Sequence, residues 1–384
     1  MKSSTERILT THTGSLPRPK DLVELLWQRE AGETVNPSLF DARIAEVVTD
    51  IVAAQTRAGI DIVNDGEAGK ISYFSYVVDR LTGFVGSAEP SKTPPRDLAD
   101  FPTYMAFRET VTGKRKKLSR PVCTEAITFR GIESVQTDIK NLRAAATQNT
   151  LEETFLSSAS PGLIDMFLRN EYYGTREEYL FALADAMRTE YEAIVDAGIL
   201  LQLDCPDLAL SYNAMHYDEG VDGFRRLIAE NIAALNHATR NIPPDRMRMH
   251  LCWGNYEGPH HHDIPLKDII DLILTARPAA LSFEGANPSH QHEYVVWDDV
   301  KLPEGKIIMP GVIDSTTNFI EHPEVVAQRI VRYASRVGRE NVIPGTDCGF
   351  GTGAGLGAVD DEIVWAKLAA LAEGARRASA VLWP

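Results

Sequence analysis

Gly198-Ile-Leu-Leu-Gln-Leu-Asp-Cys-Pro206 is the stretch on which the fold turns. A glycine opens it, five residues of mainly apolar character follow, and a carboxylate ends the run. The residues before it, Arg176 to Asp196, place apolar side chains at helical spacing, so the unit reads as helix, glycine, buried strand, acid. The same unit recurs on both sides. Toward the N-terminus, Phe40 to Arg57 is helical in spacing, Gly59 stops it, and Ile60-Asp-Ile-Val63 reads as a strand that leads to Asp65 and Glu67. Toward the C-terminus, strands are expected at Met247 to Leu251, Ala279 to Phe283, Lys306 to Met309 and Asn341 to Pro344. Helices are expected at Val221 to Ala238, Leu266 to Thr275, Pro323 to Val337 and Asp360 to Ala378. Ile8 to His12 and Val122 to Ile127 complete a set of eight strands.

Eight strands separated by helices predict an α/β protein, a (β/α)8 TIM barrel with a long insertion after the second strand. A doubly wound open sheet is the alternative. The polar, proline-bearing stretch from Gly83 to Arg120 is the expected insertion, and Leu151 to Tyr173 reads as irregular. The reading takes residues 1–384 as one catalytic barrel with 83–120 inserted in it. His12, Asp65, Glu67, Asp204, His250, Cys252, Glu284, Asp314 and Cys348 all fall at or just beyond strand ends. That is the face on which barrels carry their sites.

Bulk properties narrow the function classes. The chain has 384 residues, 44% of them hydrophobic, and a net charge of −15. An acidic balance argues against nucleic acid as a partner. The one basic cluster, Lys114-Arg-Lys-Lys117, reads as a solvated loop. No apolar run is long enough to span a bilayer, and the first residues lack the apolar stretch of a signal peptide. Cys123, Cys205, Cys252 and Cys348 form no C-x-x-C pair, which suits reduced thiols and a cytoplasmic location. Apolar residues on the outer helices are compatible with a homo-oligomer and equally with ordinary packing.

Four scattered residues suit one tetrahedral zinc ion: His250 and Cys252 in Met249-His-Leu-Cys-Trp-Gly-Asn255, Glu284 in Leu281-Ser-Phe-Glu-Gly285, and Cys348 in Gly345-Thr-Asp-Cys-Gly-Phe350. Side chains alternate along a strand, so the His-x-Cys pair shares a face. A lone cysteine is more often a small buried apolar residue, but two cysteines beside a histidine and a glutamate favour the metal. Asp65-Gly-Glu67 can hold an ammonium group or work as an acid–base couple, with a helix-capping loop as the bland alternative. Asp204 leaves a buried strand, where a carboxylate is costly without a partner. The run Gly258-Pro-His-His-His-Asp263 reads as a surface loop or pocket wall rather than as a second metal site. The glycine-rich stretches Thr13 to Arg18 and Gly349 to Gly357 do not match a P-loop.

In several separate motifs this chain resembles the catalytic barrel of cobalamin-independent methionine synthases. The His-x-Cys pair, the following Glu and the Asp-Cys-Gly turn correspond to the family's zinc ligands, which the resemblance places at His250, Cys252, Glu284 and Cys348. Gly14-Ser-Leu-Pro17 is similar to the family's thiol-substrate loop, Gly66-Glu-Ala68 to the motif whose Glu holds the substrate amino group, and Gln202-Leu-Asp-Cys-Pro206 to its Gln-Ile-Asp-Glu-Pro. The resemblance implies a catalytic role for Asp204; Asp314, at a strand end, and Thr316, at the position of the family's histidine, are the other catalytic candidates. The resemblance also implies a substrate-binding role for Gly14, Ser15 and Glu67; His12, Arg18, Asp65, Trp253, His260 and His261 are further substrate-binding candidates from their places near strand ends and in the adjoining loops. Two positions depart from the family: Thr316 stands where the family has its acid–base histidine, and Cys205 replaces the Glu of Asp-Glu-Pro. A hydroxyl does not donate a proton as imidazolium does near neutral pH.

The expected function is alkyl or methyl transfer to a small-molecule thiol activated by Zn2+. The donor would be a folate, a methylated small molecule or an epoxide. The epoxide case resembles the sister group of epoxyalkane:coenzyme M transferases. Glu67 favours an amino thiol such as homocysteine; for a sulfonate thiol, Arg18 and the loop from His260 to His262 are better suited. A decarboxylase of the uroporphyrinogen type needs no zinc and fits less well. A non-catalytic metal-binding barrel would not need the ring of acids.

Overall fold

The computed structural model describes residues 1–86, 88, 94–112 and 118–384. The cluster Lys114 to Lys117 lies outside the described residues. Among those described are nine strands: β1 (Ile62–Asn64), β2 (Phe84–Val85), β3 (Val122–Cys123), β4 (Glu153–Ala159), β5 (Leu200–Asp204), β6 (Met247–His250), β7 (Ala280–Phe283), β8 (Ile307–Ile313) and β9 (Gly345–Thr346). Seven of them form one parallel sheet in the order β1-β4-β5-β6-β7-β8-β9. Residues 9–13 close the curl. The Thr11 amide donates to the Pro344 carbonyl at 3.0 Å, and the Ile62 amide donates to the Thr10 carbonyl at 3.0 Å. The segment from Ile8 to His12 therefore occupies the eighth staves' place without a continuous ladder, and the architecture is that of a TIM barrel.

The alternation of side chains explains what lies inside. Leu9, Ile62, Phe155, Leu200, Ala280, Met309 and Ile343 form a small apolar cluster within the barrel. One step further along the strands the inward residues turn polar. Gln202 is in register with Arg248, and Asp204 with His250; His250 is in turn in register with Ser282. Arg248 is fully buried, with its guanidinium 4.0 Å above the Phe155 ring. It donates to Thr11 Oγ1 at 2.8 Å and to the His12 carbonyl at 2.7 Å, tying the closing segment from inside. Outward residues such as Leu201, Leu203, Met247, Met249 and Leu281 pack under the surrounding helices in the main core.

Those helices follow their local signals. The helix Arg176–Asp196 starts at a reciprocal capping box between Thr175 and Glu178. Pro37–Arg57 is capped by Asn36, and Asp361–Leu382 by Asp360. Gly59 and Gly198, just past two helix ends, adopt φ of 87° and 81°, a region that favours glycine. The expected helix from Leu266 to Thr275 is broken into a 3-10 turn (Leu266–Asp268) and a short α-helix (Ile270–Ile273). Among the described residues no helix is long and apolar enough to cross a membrane.

The third expected strand is a correction. Val122–Cys123 lies outside the barrel, paired antiparallel with Phe84–Val85. The barrel strand at that place is β4, inside the stretch that reads as irregular in sequence. Its serines disguise it: Ser157 and Ser158 are both buried, and Ser158 bonds to Glu190 Oε1 at 2.7 Å. A strand covered on both faces need not alternate in hydrophobicity when its hydroxyls find partners. Between β2 and β3, the helices Arg96–Ala99 and Pro102–Thr112 form an arm that reaches over the C-terminal end of the barrel.

Candidate metal and thiol site

The arm and the strand ends enclose a cavity of about 700 Å3. Its floor comes from the barrel: Thr13, Ser15, Glu67, Asp204, His250, Cys252 and Cys348. Its roof is largely apolar, with Tyr73, Pro95, Leu98, Met166, Phe167 and Met215, and with Arg108 and Arg120 also lining it. Arg108 lies 5.0 Å over the Tyr256 ring and Arg120 lies 5.4 Å over Phe167.

Three of the four expected metal ligands meet on this floor. The ligand atoms of His250, Cys252 and Cys348 all lie within 4.8 Å of one another, and the two sulfurs are 3.6 Å apart. His250 Nδ1 is held by Ser282 Oγ at 3.1 Å, while its buried Nε2 has no hydrogen-bond partner among the described residues. Burial, with help from Arg248, pushes the imidazole down to about 3, so it is neutral. A buried imidazole nitrogen without a partner is costly. The His250 ring lies beside two thiols, and the donor set of one nitrogen and two sulfurs fits tetrahedral zinc.

Glu284 stands beside this trio and is engaged elsewhere. Its Oε1 accepts the Trp253 amide at 2.8 Å and its Oε2 accepts Asn287 Nδ2 at 2.7 Å. Burial first, and the Cys252 thiol second, push its carboxyl well above the usual range. Asp347 braces the same corner: its carboxylate accepts the amides of Gly285, Ala286 and Asn287 at 2.8 to 2.9 Å. A Cβ on Gly311 would lie 2.0 Å from Asp347 Oδ1, so this glycine makes room for the brace. Asp347 thus links the turn after β7 to Cys348 after β9.

The opposite side of the floor is acidic. Glu67 has a φ of 57°, rare for a residue with a side chain. The conformation is held from both ends. The Glu67 carbonyl accepts Arg18 Nε at 3.1 Å and Nη2 at 2.7 Å, and its amide donates to Asp65 Oδ1 at 2.9 Å. Glu67 Oε2 is buried and has no partner among the described residues. Asp204 accepts Gln202 Nε2 at 2.9 Å, and burial, then neighbouring Glu67, push its carboxyl up to about 8. Gly14, at φ 145°, fits against this pair: a Cβ there would lie 2.8 Å from Glu67 Oε1 and 2.7 Å from Ser157 Oγ.

Other expected site residues lie behind the cavity rather than on it. His12 is inside the barrel, with Nε2 2.6 Å from Gln55 Oε1. Arg18 is occupied by the Glu67 carbonyl and by the Gly351 carbonyl at 2.7 Å. Asp65 caps Glu67 and is pushed up to about 6 by burial. Trp253 is fully buried, its indole N–H on the Ile264 carbonyl at 2.7 Å. Asp314 accepts the Thr316 amide and hydroxyl at 2.9 and 2.8 Å, so both are folded into their own loop. That loop meets the cavity through Ser315, which donates to Asn255 Oδ1 at 2.9 Å. His260 pairs with Asp263 at 2.8 Å, and His261 lies 3.2 Å from Asp100, away from the cavity lining. Tyr73, Asn255, Tyr256 and the arm residues line the cavity unannounced by any motif; for Asn255 alone, proximity to the His-x-Cys strand was a signal.

The family description "Cobalamin-independent synthase, Catalytic domain" matches residues 8–96. A methionine synthase of Sulfolobus acidocaldarius is 27% identical over 344 residues, covering 89% of this chain and 85% of that protein. A methionine synthase of Saccharolobus solfataricus is 24% identical over 372 residues, covering 96% and 93%. The solved structure of a B12-independent methionine synthase from Shewanella sp. W3-18-1 matches with a TM-score of 0.75 and 21% identity, covering 98% of this chain and 99% of that one. The barrel, the ligand trio at its strand ends and these matches agree: the chain is similar to cobalamin-independent methionine synthases along most of its length and shares their fold.

Proposed function

We propose that the protein transfers a methyl group to a thiol, with homocysteine as acceptor and zinc as the resident metal. The observation that carries this reading is the convergence of His250, Cys252 and Cys348, their ligand atoms within 4.8 Å of one another, on the floor of a substrate-sized cavity. His250, Cys252 and Cys348 would hold the ion, with Glu284 as the adjacent fourth donor. Bound zinc supplies Lewis-acid activation, lowering the pKa of a thiol while leaving sulfur nucleophilic.

The chain's own residues do the rest. Glu67 Oε2 and Asp204 receive the ammonium group of an amino thiol. Asp204 holds a proton at neutral pH and so can exchange one with the substrate. The arm covers the mouth and limits water. Arg108 and Arg120 give the roof two cations on aromatic faces, suited to an acidic donor such as a folate. Arg18 and the His260 to His262 loop, which a sulfonate thiol would need, are engaged away from the cavity lining. This favours homocysteine over the epoxide and coenzyme M reading. Residues 1–384 act as one catalytic barrel with 83–120 inserted in it, and the helices Arg96–Ala99 and Pro102–Thr112 of that insertion roof the cavity. Four free thiols suit a reducing compartment, which we take to be the cytoplasm.

The test is addition of homocysteine or coenzyme M to zinc-loaded protein, reading proton release and metal–sulfur coordination. Release of a proton with a new zinc–sulfur bond for homocysteine is the expected result. A folded, zinc-loaded protein that answers no thiol would overturn the reading and leave a structural metal site.

A further inference from the structure

A second group of metal-binding side chains lies at the cavity mouth, where the arm meets the loop after β6. Asp100 follows the arm helix Arg96–Ala99, and His261 and His262 come from the loop. His262 Nε2 is 2.6 Å and His261 Nε2 is 3.2 Å from the same atom, Asp100 Oδ2. The three ligand atoms all lie within 4.8 Å of one another. Two successive residues rarely aim both rings at one point. Here the turn is set by His260, at φ 53°, whose amide donates to Asp97 Oδ2 at 3.1 Å and whose ring pairs with Asp263 at 2.8 Å.

The rings are held as a ligand set would need them. Phe101 packs edge-on against His261 at 5.3 Å, and Tyr217 packs against His262 at 4.7 Å. Arg96 stands 3.7 Å from Asp100 Oδ1, leaving Oδ2 to the histidines. Partners behind the ligands fix orientation in this way at metal sites. The side chains of His261, His262 and Asp100 retain 39%, 20% and 34% exposure, so an ion and its waters can reach them.

We propose that Asp100, His261 and His262 form a second metal site, taking a divalent transition metal ion such as Zn2+, Co2+ or Ni2+, that clips the arm to the barrel. Two imidazoles and a carboxylate with open positions suit such ions. The site differs from the floor site in having no thiolate and in joining two segments 161 and 162 residues apart. An ion here holds Pro95 and Leu98, which line the cavity, against the loop that carries Tyr256. The proposal does not rest on the methyltransferase reading.

The test is Co2+ titration of the full chain followed by absorption spectroscopy. The first equivalent is expected to give intense sulfur-to-cobalt bands from the floor site. A second is expected to give only weak d–d bands. The double variant His261→Gln/His262→Gln should keep the sulfur bands and weaken the second equivalent more than about 100-fold, beyond the range seen when only outer partners are removed. Cys252→Ala/Cys348→Ala should do the reverse, losing the sulfur bands and keeping the second equivalent. A second equivalent that is absent from the parent protein, or unchanged in the histidine variant, would overturn the proposal.

Discussion

On one side of the cavity floor, His250, Cys252 and Cys348 bring a nitrogen and two sulfurs together; on the other, Glu67 and Asp204 bring two carboxyls together. Both sides are built by the same rule, inward residues at the ends of parallel strands or in the turns beyond them. Both contain a buried atom without a partner among the described residues, Nε2 of His250 and Oε2 of Glu67. The difference is in what each lacks. Three soft donors ask for a metal ion, whereas two crowded acids ask for a proton or an ammonium group. A single substrate carrying a thiol at one end and an ammonium at the other would complete both, which is why the two sides together say more than either alone.

The largest effect should come from removing a sulfur. Cys348→Ala, which leaves the acid side intact, is expected to lose bound zinc by metal analysis. Its thiol transfer should fall by on the order of 10³-fold, the scale of several kcal/mol of Lewis-acid stabilisation. Asp204→Asn attacks the other side. The metal should remain, and kcat should drop by about 10²-fold or more, as for loss of a positioned proton donor. Retention of full turnover would show that Asp204 only packs.

Glu67→Gln sharpens the comparison by acting on binding. It removes a charge-assisted hydrogen bond, so KM for an amino thiol should rise about 10- to 100-fold. A thiol of the same length without the amino group should bind the variant and the parent alike. If both thiols weaken equally, Glu67 does not read the ammonium.

Asp65 reads stability rather than catalysis. Its carboxyl stands at about 6 in the fold against an ordinary 3.8. A raised acid stabilises the fold fully below the unfolded value and loses that contribution as pH rises through the folded one. Asp65→Asn keeps an acceptor for the Glu67 amide. Thermal melting of the variant should therefore fall less between pH 4 and pH 6.5 than that of the parent, by on the order of 3 kcal/mol at most.

Much of this floor was legible in the amino-acid sequence because its chemistry sits at strand ends. Cys252 and Cys348 follow apolar runs that bury themselves, and the curl of the sheet brings their sulfurs to 3.6 Å beside His250. Glu284 was legible as a neighbour of the trio, but its hydrogen bonds to Trp253 and Asn287 depend on the turn that Asp347 holds. The residues that hid were those whose place depends on long-range folding. Ser157 and Ser158 masked β4 because hydroxyls with buried partners look like loop. The roof was invisible because Leu98 and Arg108 lie on an arm whose return over the barrel leaves no periodic mark. His12 and Trp253 carried chemistry-bearing side chains to strand ends, yet Gln55 and Ile264 draw them inward.

Arg248 has one more consequence, and it concerns time. Its guanidinium fastens residues 11 and 12 from inside, while Thr11 bonds to Pro344, so the seam joins the beginning of the chain to its last strand. As the chain is synthesised, the early segment meets β1 soon, through Thr10 and Ile62, but must wait for about 330 residues before its second neighbour exists. Contacts between such distant segments form late, and an unpaired edge exposed meanwhile invites association with other chains. Arg248, borne on a middle strand, precedes Pro344 in the chain, so a partner for this segment is made before the barrel can close.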